Sequence, residues 1–137
     1  MNRFVLDVSV AANWGLVESQ SSQADAILRR LTDGDRALAP SIWMFEVANF
    51  IAKSLRGGHM SPDQAAEFSL LVKTLPIEIA HEMLARIVDA VTPVATAYQL
   101  TVYDAAYLEL ALREGIPLAT ADRGLAIAAG KAGVPLV

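Results

Sequence analysis

The chain has 137 residues, enough for one domain, and its 54% hydrophobic and 19% charged residues exclude a disordered protein. No apolar run reaches the roughly 20 residues of a membrane helix, and the absence of cysteine excludes disulfides and thiolate metal sites. The net charge of −4 disfavours a broad basic surface for nucleic acid, although carboxylates that bind divalent cations add to this charge without repelling phosphate.

The first half of the chain alternates short apolar runs with helical patterns. Residues 1–7 lack the pattern of a secretory signal, so we expect a cytoplasmic protein without a membrane segment. Ser21 or Ser22 is placed to cap the second helix, and Pro40 with Ser41 precedes the third, whose apolar residues predict a largely buried cylinder. The predicted elements are a strand at 3–7, helices around 10–14 and at 23–31, a strand at 37–39 and a helix from 41 to about 55.

The second half continues the alternation. Ser61 and Pro62 mark a helix start, Pro93 predicts a break in a long helical stretch, and Gly115 marks a helix end. The predicted elements are helices at 62–75, 82–100 in two pieces, 104–114 and 122–131, with strands at 76–79, 116–120 and 133–137. We therefore expect an α/β fold, a single domain over residues 1–137 with a mostly parallel central sheet covered by helices on both faces.

Three aspartates stand where a parallel sheet collects its functional groups. Asp7 and Asp122 follow predicted strands, and Asp104 opens the helix with the cleanest apolar stripe. Each could equally be a helix N-cap, which satisfies free backbone N–H groups and suits the helix dipole. Capping and a functional role therefore both remain open for these residues.

Glu46 needs another explanation because it lies inside the apolar third helix, where an unpaired buried carboxylate is costly. Asn49, Lys53 and Arg56 follow it at i+3, i+7 and i+10 and form one polar stripe with it. The stripe is either a solvent-facing surface or one rim of a polar site.

If Glu46 faces the strand ends, four carboxylates converge, and such a cluster requires raised pKa values or a bound cation. Oxygen ligands without cysteine favour Mg²⁺ or Mn²⁺ over Zn²⁺. Subtracting these four acids leaves the rest of the chain neutral, so the net charge no longer opposes a phosphodiester substrate. The residues with candidate accessory roles are Ser9, Asn49 and Thr120 as supporting groups, and Lys53 and Arg123 as phosphate contacts.

Four stretches that run almost from end to end carry a recognisable pattern. They are Val5-Leu6-Asp7-Val8-Ser9-Val10 with Trp14 after it, Glu46-Val47-Ala48-Asn49, Tyr103-Asp104-Ala105-Ala106-Tyr107, and Thr120-Ala121-Asp122-Arg123. In this order and spacing the chain resembles a PIN domain, and within that family the VapC-type toxins of type II toxin–antitoxin operons. One departure concerns the position before Trp14, which is often Lys in similar toxins and is Asn13 here.

The resemblance implies an endoribonuclease that depends on Mg²⁺ or Mn²⁺ and cleaves RNA, with tRNA among the candidate substrates. It assigns catalysis and metal binding to an acidic quartet and places two hydroxyls beside it; the quartet is Asp7, Glu46, Asp104 and Asp122, and the hydroxyls are Ser9 and Thr120. It also implies a homodimer and a cognate antitoxin whose C-terminal segment lies across a groove near the site. The apolar helices around Trp14, 24–31 and 43–50 are the expected walls of that groove.

Two other classes of function stay open. A catalytically silent PIN-like module that binds protein or RNA would keep the fold, but it would be expected to lack at least one acid of the quartet. An aspartyl-phosphate enzyme also places Asp after its first strand. Here Ser9 stands where phosphatases of the haloacid-dehalogenase type have a second Asp, and the adjacent acids of receiver domains are missing.

Overall fold

A computed structural model describes residues 1–16 and 18–137. The sheet has four parallel strands in the order β3-β2-β1-β4, and the strands are β1 (Arg3–Leu6), β2 (Arg36–Pro40), β3 (Ile77–Ala80) and β4 (Leu118–Ala119). Phe4, Val5 and Leu6 are all fully buried although successive side chains point to opposite faces. Helices therefore cover both faces of the sheet, and the predicted α/β architecture is confirmed.

The helices begin and end close to the predicted positions. Ser21 accepts a hydrogen bond from Ala24 N, and Ser61 forms a capping box with Gln64. The helices are α1 (Val8–Gly15), α2 (Ser22–Thr32), α3 (Ile42–Arg56), α4 (Pro62–Thr74), α5 (Leu84–Arg86), α6 (Thr92–Tyr98), α7 (Val102–Glu114) and α8 (Arg123–Ala132), with a π-helical turn at Ile87–Val91. Within the described ranges, none of them is long and apolar enough to span a membrane.

Helix α7 is the central helix of the fold. Its residues from Ala105 to Ala111 are all buried, and Gly115 ends it with a φ of 65°, a conformation that favours glycine. Of the apolar stripe that the sequence predicts for this helix, Ala106, Tyr107, Leu110 and Ala111 are buried, whereas Tyr103 at the first turn is 61% exposed. The N-terminal end of α7 thus projects beyond the core, while the rest of the helix is fixed by packing.

The prediction that α3 is largely buried is wrong. Trp43 and Val47 face the interior, but Phe45 is 72% exposed and Met44 is 42% exposed. The helix packs against α1, α4 and β2, and these neighbours cover only one side of it. The composition of a helix shows how much apolar surface it carries, whereas the number of neighbouring elements decides how much of that surface is covered.

The predicted break before Pro93 is also wrong. The chain keeps right-handed helical backbone angles at Arg86, Val91 and Thr92, and a π-helical turn joins α5 to α6. Pro93 lies in the first turn of α6, directly after this wider turn. One side of this helical segment packs on α7.

The predicted last strand at 133–137 is reduced to one parallel bridge between Leu118 and Leu136. Leu118 donates to the Pro135 carbonyl, and Val137 donates to the Leu118 carbonyl. Pro135 has no N–H to donate, so the segment cannot build a longer ladder. The strand predicted at 116–120 is correspondingly short in β4.

Candidate active site

Asp7 lies at the carboxyl end of β1 and is 3% exposed. Its Oδ2 atom accepts hydrogen bonds from Ser9 Oγ at 2.6 Å and from Thr120 Oγ1 at 2.7 Å. The Asp7 backbone N–H donates to the Ala119 carbonyl, which aligns the ends of β1 and β4. Both predicted supporting hydroxyls therefore hold the same carboxylate oxygen.

Helix capping accounts for only one of the three aspartates. Asp122 caps α8 through hydrogen bonds from Gly124 N and Leu125 N to its Oδ1. Asp7 precedes α1 without a side-chain cap, and α7 is capped by Thr101 rather than by Asp104. The capping hypothesis is thus right for Asp122 and wrong for the other two, whose carboxylates need a different role.

Glu46 has a neutral partner. Its Oε1 accepts a hydrogen bond of 2.5 Å from the hydroxyl of Tyr107, which is fully buried on α7. Sequence reasoning placed Tyr107 only on the apolar stripe of its helix. A Tyr facing a helical acid from another element leaves no spacing signal, so this contact could not be read from the sequence.

The four carboxylates are electrostatically coupled. Burial raises the pKa of Asp7, and the negative charge of Asp122 adds to the rise, while its hydroxyl partners oppose it. Burial raises the pKa of Glu46, and Asp7 and Asp104 raise it further, against the hydrogen bond from Tyr107. Burial also raises the pKa of Asp104, again with help from Asp122 and Asp7. The structure thus brings the predicted carboxylates into one negative region.

A groove of about 480 Å³ lies along α3 next to this region. Glu46, Asn49 and Lys53 line it together with Ser9 from α1, so the predicted polar stripe of α3 faces a cavity except at Arg56. His59 is exposed and also lines the groove. Arg123 is exposed beside Asp122 and does not line the groove.

The donor set fits a hydrated hard cation. Within residues 1–16 and 18–137, no three acidic or histidine side chains form a group that could hold a metal ion directly. Mg²⁺ usually keeps several waters and takes one or two carboxylates from the protein, so coupled acids at wider spacing suit it. None of the four carboxylates forms an ion pair with a described basic residue, which leaves their charge available to a cation.

Two further contacts tie the site to the surrounding helices. Gln23 at the start of α2 donates to the Thr120 carbonyl at 2.9 Å, and Trp14 Nε1 donates to the Ala24 carbonyl at 2.9 Å. Asn13, at the position where similar toxins often have Lys, donates to the Ser9 carbonyl. This side chain therefore stabilises α1, and it brings no positive charge to the site.

Comparison with known proteins defines the family. The sequence matches the PIN domain over residues 4–131, so the chain belongs to the PIN-domain family. It is also 33% identical over 128 residues to Ribonuclease VapC3 of Pyrobaculum aerophilum, which covers 90% of this chain and 92% of that protein. Within the PIN family it is accordingly a VapC-type protein.

Solved structures share the fold. The crystal structure of PAE2754 from Pyrobaculum aerophilum matches with a TM-score of 0.68 and 25% identity over 93% of this chain and 87% of that one. VapBC2 from Rickettsia felis, bound to a promoter DNA fragment, matches with a TM-score of 0.68 and 15% identity over 100% and 98%. FitAcB from Neisseria gonorrhoeae matches with a TM-score of 0.63 and 18% identity over 99% and 96%.

Proposed function

We propose that this chain is a Mg²⁺- or Mn²⁺-dependent endoribonuclease and the toxin of a toxin–antitoxin pair. The observation that carries the proposal is a cluster of carboxylates without a basic partner among the described side chains: Asp7 and Asp104 raise the pKa of Glu46, and Asp122 and Asp7 raise the pKa of Asp104. Clustered negative charges destabilise the folded chain unless a bound cation offsets them. A functional role therefore explains why the cluster is present.

Two observations support RNA as the substrate. The relative with 33% identity is named a ribonuclease. The groove beside the carboxylates carries Lys53 and Asn49, which can meet phosphate oxygens and base or sugar edges. Lys53 is exposed and has no ion-pair partner among the described residues, so its ammonium is available to a phosphate.

The chain's own residues would bind the cation and orient the carboxylates that hold it. Asp7, Glu46, Asp104 and Asp122 would hold the hydrated cation, some of them through its waters, and the hydroxyl of Thr120 fixes the Asp7 carboxylate for that task. A bound Mg²⁺ or Mn²⁺ supplies a Lewis acid that acidifies water and offsets the charge of the scissile phosphate. Oδ1 of Asp122 accepts the two hydrogen bonds that cap α8, so Oδ2 is the oxygen that would bind the cation.

We infer two protein partners. A cognate antitoxin is supported by the names VapBC2 and FitAcB of the structural neighbours and by the groove along α3.

A homodimer is supported by apolar surface next to the site, where Phe45 and Tyr103 are 72% and 61% exposed. Light scattering of the isolated chain at micromolar concentration would give twice the chain mass, whereas a monomer would contradict the homodimer. A cytoplasmic location stays a prediction.

A catalytically silent module remains the second candidate. It is favoured by one observation, that no three of the described acidic or histidine side chains are grouped to hold an ion directly. Such a module would bind RNA or protein with the same affinity in the presence and absence of divalent cations, whereas the proposed nuclease needs them for turnover.

The test is cleavage of a pool of structured RNAs, tRNA included, by the chain stripped of metal, with Mg²⁺ or Mn²⁺ added back. We expect products only with metal, and their sequences would identify the substrate. Intact RNA together with no detectable Mn²⁺ binding would overturn the nuclease in favour of the binding module.

A further inference from the structure

The buried phenol of Tyr107 is a polar group that the nuclease mechanism leaves without a task. Its side chain is fully buried in the core, yet its hydroxyl reaches Glu46 Oε1 at 2.5 Å. A buried hydroxyl needs a hydrogen-bond partner. A neutral acceptor would satisfy it at a lower desolvation cost than a carboxylate. The pairing with an acid of the site therefore calls for an explanation.

The same oxygen stands between two parts of the site. The phenol O–H donates a hydrogen bond to Glu46, and the backbone N–H of Val8 lies near the phenol oxygen without forming a hydrogen bond to it. Val8 is the first residue of α1 and directly follows Asp7. The hydroxyl thus holds the Glu46 carboxylate near the start of α1 and the end of β1, where Asp7 lies.

Glu46 depends on this contact for its orientation. Its side chain has three rotatable bonds and is half-buried at the edge of the groove. No described basic residue pairs with it, and Tyr107 supplies its one hydrogen bond among the described side chains. Tyr107, by contrast, is fully buried on α7 and is held in place by core packing. It therefore sets the orientation of the Glu46 carboxylate.

We propose that Tyr107 is a positioning residue of the active site, which holds the Glu46 carboxylate in its working orientation through a single hydrogen bond. The inference rests on the proposed function, because it concerns how Glu46 meets a cation. The phenol O–H is the donor of this bond, and the carboxylate oxygen is the acceptor.

The experiment compares Tyr107→Phe with Tyr98→Phe as the matched control. Tyr98 is a partly buried residue of α6 that packs on the core, and its hydroxyl makes no hydrogen bond to a described residue. Two quantities are measured for each protein: the Mn²⁺ dissociation constant by calorimetry, and kcat and KM for an RNA that the wild type cleaves.

For Tyr107→Phe we expect the Mn²⁺ dissociation constant to rise and kcat to fall by about 10- to 100-fold, with KM unchanged. Excess Mn²⁺ should restore part of kcat, because it refills a weakened site. Tyr98→Phe should match the wild type in all three quantities. Wild-type Mn²⁺ affinity and kcat in Tyr107→Phe would overturn the inference, whatever happens to its melting temperature.

A second variant guards against a folding defect in Tyr107→Phe. Glu46→Asp keeps the charge but withdraws the carboxylate by one methylene from the Tyr107 hydroxyl. It should lose Mn²⁺ affinity to a similar extent, and Tyr107→Phe should add little in the double variant because the bond is already gone. Full Mn²⁺ affinity in Glu46→Asp, or additive losses, would overturn the inference. A wild-type chain that neither binds Mn²⁺ nor cleaves RNA would overturn the proposed function instead.

Discussion

Thr120 Oγ1 donates a hydrogen bond of 2.7 Å to Asp7 Oδ2 and so joins the carboxyl ends of β4 and β1, 113 residues apart in the chain. The same Thr120 oxygen accepts the backbone N–H of Asp122 at 3.0 Å. One hydroxyl therefore fixes the side chain of one acid and the backbone of another, which makes Thr120 a sensitive point of the site.

Replacing Thr120 with valine removes this hydroxyl at nearly constant volume. The Asp122 N–H would lose its partner and Asp7 would lose one of two donors, so we expect a loss of about 1–3 kcal/mol in the free energy of unfolding. RNA cleavage should fall by about 10- to 100-fold because the carboxylate is less well held. Thr74→Val is the control, since its exposed hydroxyl bonds only to carbonyls of its own helix. Equal effects of the two substitutions in urea titration and cleavage would contradict the assignment.

The raised pKa of Asp7 predicts how stability depends on pH. Burial and the charge of Asp122 favour the protonated carboxyl, so the folded chain holds this proton more tightly than the unfolded chain. Without metal, ionisation of Asp7 therefore destabilises the fold as pH rises from about 4 through the raised pKa. In EDTA, Asp7→Asn should be more stable than wild type at neutral pH, and the gap should close as pH falls to about 4. A gap that is independent of pH in denaturant titrations would refute this explanation.

Divalent cations should stabilise the folded chain. A cation that binds only the folded state at 100 times its dissociation constant adds about 2.7 kcal/mol to the free energy of unfolding. Mg²⁺ should therefore raise the melting temperature of the wild type and of Asp63→Asn, whose exposed carboxylate lies in the first turn of α4. Glu46→Gln should lose most of the shift. A shift of equal size in Glu46→Gln would place the cation elsewhere.

Lys53 should contribute to RNA binding through charge alone. It lines the groove with Glu46, whereas Arg56 is exposed one turn later on the same helix and does not line it. Lys53→Ala should weaken binding and reduce the slope of log K against log salt by about 0.7 to 0.9, the value of one phosphate contact. Arg56→Ala is the control and should leave the slope unchanged, as measured by fluorescence anisotropy on an uncleavable RNA. Arg123 stays a predicted phosphate contact, and its alanine variant belongs in the same series.

The sequence was sufficient to predict the elements that hold the carboxylates. Parallel strands end at one edge of a sheet, so the positions of Asp7 and Asp122 follow from strand prediction alone. Glu46 stood out because a carboxylate inside an apolar helix requires an explanation. These inferences depend on local patterns of side chains, and such patterns are visible in a sequence.

The remaining features depend on contacts between distant elements. The hydrogen bond from Tyr107 to Glu46 joins α7 to α3, and the exposure of Phe45 reflects which helices reach α3. The π-helical turn before Pro93 likewise belongs to a segment that packs on α7. None of these features has a fixed spacing along the chain, so each required the three-dimensional structure.

The central claim is that the carboxylate site hydrolyses RNA with the help of a divalent cation, and Asp104→Asn tests it most directly. Asp104 does not cap α7, and its carboxylate accepts no hydrogen bond from a described residue, so the amide should leave the fold intact. Cleavage of a substrate RNA is measured for wild type, Asp104→Asn and Asp63→Asn, each stripped of metal and then supplied with Mg²⁺. We predict metal-dependent cleavage by the wild type and by Asp63→Asn, and at least about 100-fold less by Asp104→Asn. Cleavage by Asp104→Asn at the wild-type rate, or by any of the three in EDTA, would contradict the claim.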